Sequence, residues 1–161
     1  MKKTGPSLLP TLLLVLALAS VVWPHPVNAL DNDCERTSRM RVYSSAFAHK
    51  ETGDLLGYDL ALGPATEPTT DALLFIHEGS PGEGIPLQAK QSDGKVTIEG
   101  DWVEHLVEYP SKKETVQTHS IRITGTADMR RFTGIIVIEG VTTPDKLSLK
   151  RVQKIWMCRA K

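Results

Sequence analysis

His105 and His119 lie on either side of the turn "PSKKE", within the stretch "DWVEHLVEYPSKKETVQTHSIRI" from Asp101 to Ile123. An imidazole changes charge close to neutral pH, so two of them face to face would make a pH-responsive binding site or supply a general base. Setting Tyr109 opposite Thr115 puts Val107 by Gln117, His105 by His119 and Val103 by Ile121. The two histidines then share an apolar face with Val103, Val107, Ile121 and Ile123, and Tyr109 and Gln117 extend a polar patch at its end. His105, His119, Tyr109 and Gln117 are accordingly the candidate ligand-binding residues.

A metal ion at such a pair needs a third ligand. His77 has the right chemistry, but no spacing demands it, so no metal site is assigned. No nucleophile or acid is fixed beside either histidine, so no catalytic residue is assigned, and a hydrolase or isomerase ranks last among the functions considered. "HEG", His77 to Gly79, lacks the second histidine of a zinc-protease helix. "GSPGEG", Gly79 to Gly84, has neither the lysine nor the following helix of a phosphate loop. No cofactor is expected.

The elements that must position these residues are strands. After Cys34 the apolar residues recur with a period of two between turn-forming clusters. "RMRVYSSAFAH" opens the series. "LLGYDLAL" follows, with Leu56, Tyr58, Leu60 and Leu62 on one face, and "DALLFIHE" is apolar on both faces, as in a strand covered twice. Asp93-Gly94 is a two-residue hairpin signal. It pairs Ser92 with Lys95, and Ala89, Leu87 and Ile85 then oppose Ile98, Gly100 and Trp102. Beyond Gly100 the apolar positions move to odd numbers, so a β-bulge is expected at Gly100-Asp101. "RFTGIIVIEG" and "LSLKRVQKIWMCR" complete the set.

About eight strands with short connections make an antiparallel up-and-down barrel, of the architecture that lipocalins and avidins share, the economical fold. A β-sandwich is the alternative. A membrane barrel would place Lys90, Glu104, Glu108 and Arg122 against lipid.

The chain begins "MKK", runs through the apolar stretch Leu8 to Val22 and reaches "WPHPVNA". That is a secretory signal pattern, and cleavage after Ala29 is preferred to cleavage after Ala19, because Pro24 and Pro26 end the apolar helix. Residues 1–29 are thus expected to be a signal peptide and 30–161 a single domain without a membrane span, periplasmic or secreted. In an oxidising compartment Cys34 and Cys158 are expected to pair. Lys2 and Lys3 are the only charges before Leu30; without them the 19 basic and 19 acidic side chains leave acid in excess by two. That balance excludes a nucleic-acid surface.

These features lead to an exported barrel holding a small, partly apolar ligand in its interior. The alternative is a non-enzymatic protein-binding module, an inhibitor or envelope accessory factor, that uses the loops "GPATEPTT" and "GSPGEG".

Overall fold

The computed structural model describes residues 29–66, 69–108, 110–140 and 143–159. The expected signal peptide, apart from Ala29, lies outside them, as do Glu67, Pro68 and Tyr109. A short helix, α1 (Ala29–Thr37), precedes nine strands: β1 (Arg41–Ser44), β2 (Phe47–Ala48), β3 (Leu55–Leu62), β4 (Thr69–Gly79), β5 (Ile85–Ser92), β6 (Lys95–Glu108), β7 (Lys113–Ala127), β8 (Arg131–Ile138) and β9 (Asp145–Val152). A 3₁₀ turn, Trp156–Cys158, follows them.

All pairings are antiparallel, and each strand from β3 to β8 pairs with its successor. β1 pairs with both β9 and β3, which closes an eight-stranded barrel as the periodicity predicts. β2 is the extra strand. It continues β1, because Arg41↔Leu62 and Phe47↔Leu56 belong to one register on β3. Extending the registers once around the wall returns to the first strand displaced by about ten residues, which tilts the strands roughly 40° from the barrel axis.

Alternation fills the interior. Tyr43, Leu60, Leu62, Leu74, Ala89, Ile98, Ile123, Phe132 and Leu149 point inward and have no accessible surface. A side chain with none borders no space that would admit a water molecule. The centre of the barrel is therefore filled by side chains. Tyr43 and Phe132 pack ring to ring near one end, and the Tyr43 hydroxyl donates to the Asp128 carbonyl at 2.8 Å.

A second apolar layer explains why "DALLFIHE" is apolar on both faces. On the outer wall, Val42, Ala61, Leu73 and Phe75 are covered by α1 and the 3₁₀ turn, with Ile155 buried between. The disulfide Cys34–Cys158, with its Cα atoms 5.8 Å apart, clips these two terminal segments together. The helix was not visible in the sequence pattern. It is short, and among its described side chains the buried and half-buried ones are Asp33, Cys34 and Thr37.

The hairpin at Asp93-Gly94 is as expected. Both residues have positive φ, 50° and 76°, and Ser92 pairs with Lys95. The expected bulge does not form. β6 and β7 pair in one unbroken register from Lys95↔Thr126 to Glu108↔Lys113. Even-numbered residues of β6 thus share one face from Val96 to Leu106, continuous with the inner side of the barrel. Val103, His105 and Val107 face outward, and Glu104 turns toward the barrel mouth.

Candidate functional site

The site begins where two strands outrun their neighbours. On the barrel wall β6 pairs with β5 from Lys95 to Glu99, and β5 begins at Ile85. β7 pairs with β8 only from Ile121 onward, with one further bond from the Glu139 N–H to the Ser120 carbonyl. Past these points, Trp102–Glu108 and Lys113–His119 pair only with each other among the described residues. They form a two-stranded ribbon standing beyond the barrel rim, and among the described residues no strand pairs with either outer edge.

The outer face of this ribbon carries three valines among His105, Glu114 and Thr118. Val103 is 51%, Val107 47% and Val116 58% exposed. His105 lies among them, opposite Val116. The expected pairing of His105 with His119 is therefore corrected: His119 pairs with Trp102, on the opposite face from His105. Two physical facts defeat the sequence reading. The connection 109–112 spans four residues and allows several registers, and the valines that suggested an inward face turn outward where no second layer covers them. Gln117 opposes Glu104 and is exposed. Tyr109 lies outside the described residues.

His119 sits at the base of the ribbon. Its ring centre is 5.5 Å from that of Trp102. Nδ1 donates to the Glu139 carbonyl at 3.0 Å. Nε2 is 3.4 Å from a Glu104 carboxylate oxygen and is not aligned with it as a hydrogen bond. At the same end of the barrel the Tyr58 hydroxyl donates to Asp145 at 2.6 Å. Burial, then the Asp145 carboxylate, push the Tyr58 phenol far above its ordinary range, so it remains the donor. Together with Ile76 and Ile138, these groups close the mouth over the core.

The loop between β4 and β5 shapes the space beside the ribbon. Instead of extending β5 along β6, residues 80–84 lie back against the outer wall. The Gly82 N–H donates to His77 Nδ1 at 3.1 Å, which places the His77 proton on Nε2, 3.2 Å from an Asp59 carboxylate oxygen. That oxygen also accepts the Trp156 N–H at 2.6 Å. The Gly84 N–H bonds the Asp33 carboxylate. At Gly82 a Cβ would stand 2.0 Å from the Ile76 carbonyl oxygen, so only glycine permits this approach.

His77 and Asp59 resemble an acid–base pair, but both are buried and the remaining nitrogen is occupied by a backbone N–H. They hold the loop; they do not present a base to a substrate. Among the described residues no three metal-ligating side chains converge.

The retracted loop leaves a cleft of about 600 Å³ beside β6, lined by Ile76, residues 82–86 and residues 101–105. Glu83, Asp101 and Glu104 are in its walls, and no lysine or arginine is. The sequence contained a signal for this cleft: the Asp93-Gly94 register, continued without a bulge, carries β6 well past the start of β5.

Compared with known proteins, the chain matches no family model, no curated protein and no solved structure.

Proposed function

We propose that this chain is an exported, disulfide-closed barrel that works as a protein-binding module through the β6–β7 ribbon. The observation that carries the reading is the ribbon's combination of two bare backbone edges and three exposed valines on one face. A two-stranded hairpin standing alone is marginally stable in water, and exposed apolar residues on it are a liability unless something covers them. The filled barrel interior favours this reading over a ligand carrier, since the central side chains leave no room for a guest. The contact surface differs from the loops that the sequence suggested: "GSPGEG" is held against the wall and serves as one side of the cleft. Export follows from the pattern of residues 1–29 and agrees with the disulfide.

The test is photocrosslinking in the native host, with a photoreactive side chain at Val107 on the ribbon or at Lys146 on β9. A discrete protein adduct from position 107 that is missing from position 146 is expected. No adduct at 107, or the same adducts from both positions, overturns the reading.

A further inference from the structure

Resting on that reading, we infer that the partner binds by strand addition: an extended segment bearing basic and apolar residues lies along the bare edge of β6, in line with β5. The argument starts from hydrogen-bond parity. In the two-residue hairpin, Ser92 and Lys95 form a hydrogen-bonded pair, so odd-numbered residues of β6 direct N–H and C=O toward β5. The far side agrees: even-numbered Gly94 accepts from the Ala127 N–H. Beyond the start of β5 the same pattern continues in Val103, His105 and Val107. These residues offer a ladder of donors and acceptors with no strand to take it.

The molecule keeps that ladder free. Residues 80–84 could have extended β5, but His77, Asp33 and the close fit of Gly82 hold them against the wall. The resulting cleft lies beside β6 where a continuation of β5 would run, and backbone pairing there would give affinity with little demand on sequence. Side-chain preference comes from charge. Three carboxylates line the cleft with one imidazole, His105, and no lysine or arginine; His119, outside the lining, faces Glu104. Lysine or arginine at alternating positions of a guest strand would meet this field, and apolar residues between them would cover Val103 and Val107. The same field disfavours nucleic acid and anionic lipid.

The test uses the full, disulfide-intact mature chain and labelled octapeptides, read by fluorescence anisotropy. One alternates Lys and Val, a second alternates Glu and Val, and a third is the Lys–Val peptide N-methylated at alternate amides. The Lys–Val peptide is expected to bind about tenfold more tightly than either of the others, the scale of one or two backbone hydrogen bonds or of several half-exposed charge pairs. Its advantage over Glu–Val should shrink with added salt and with E83Q/D101N/E104Q. His105→Pro removes one outward N–H and leaves the even-numbered bonds to β7, so it should weaken the Lys–Val peptide by a similar factor. Because an edge proline can disturb the ribbon, the N-methylated peptide on the unaltered chain decides the point. Absence of Lys–Val binding, equal binding of Lys–Val and Glu–Val, or indifference to N-methylation overturns strand addition. If the Val107 adduct nevertheless forms in the host, and is lost in V103S/V116S, the ribbon still binds a protein, through its apolar face, and only the present inference falls.

Discussion

Three histidines, on β4, β6 and β7, hold three different positions, and nothing in their residue type distinguishes them. His77 is buried between a backbone N–H and a carboxylate, His119 closes the barrel mouth, and His105 is exposed on the ribbon. His77→Ala leaves Asp59 short of a partner where its other oxygen already lacks a hydrogen bond. It should cost about 1–3 kcal/mol, whereas His105→Ala should stay within about 0.5 kcal/mol; urea denaturation of the two variants checks both. Asp128 supplies a pH test. Its carboxylate accepts the Arg130 and Arg131 N–H groups at 2.6 and 2.7 Å, which hold its pKa below the ordinary 3.8. A depressed carboxylate contributes stability above its unfolded value and loses it as pH falls through the folded one. Asp33 has the opposite sign: burial raises its pKa, so its contribution is lost as pH rises from 3.8 through the folded value. Asp128→Asn keeps an acceptor but cannot titrate. The melting temperature should therefore fall less steeply below pH 4 for the variant than for the parent chain, with the parent the more stable at pH 7 and the two converging in acid.

Register decides what an element can do, and it was legible in one hairpin and not in the next. Between β5 and β6 two residues with positive φ leave one way to turn, and the apolar alternation on both strands agrees with it. Between β6 and β7 the turn is longer, and Val103 and Val107 resemble core positions. An apolar side chain marks the covered face of a strand only where something covers it. Here β5 and β8 stop short, so the pattern that located Leu87, Ile98 and Ile123 misassigned the ribbon. Paired cysteines separate the two registers. Val103 and Thr118 form a non-hydrogen-bonded pair, where Cα atoms lie about 4.5 Å apart and a disulfide fits. V103C/T118C should oxidise spontaneously to an added bridge, found by mass mapping without reductant. H105C/H119C should remain a dithiol, because its side chains leave opposite faces of the ribbon. Oxidation of the second variant in place of the first would restore the shifted register.

At the scale of the molecule, the barrel and its clasp were legible because both follow from coarse features, a sustained period of two and an even pair of cysteines near the ends. What the sequence could not reveal is that the clasp and the cleft are mechanically joined. The Cys34–Cys158 bridge holds the 3₁₀ turn against the outer wall, the Trp156 N–H reaches Asp59, Asp59 faces His77, and His77 accepts the Gly82 N–H. The bridge closes a loop with a sequence separation of 124 residues. In the chain-entropy view it contributes roughly 4–5 kcal/mol, and its reduction should lower the melting temperature on the order of 10–20 °C. The buried chain of hydrogen bonds makes a sharper prediction. If the C-terminal turn loosens when the bridge is cut, Asp59 loses the Trp156 donor and solvent reaches His77, so the loop at Gly82 loses its anchor. Amide exchange at Trp156 and Gly82 should then accelerate together on reduction, while Ile98 and Ile123, deep in the barrel, stay protected. Faster exchange at Trp156 with Gly82 unmoved would show that the cleft wall stands independently of the clasp.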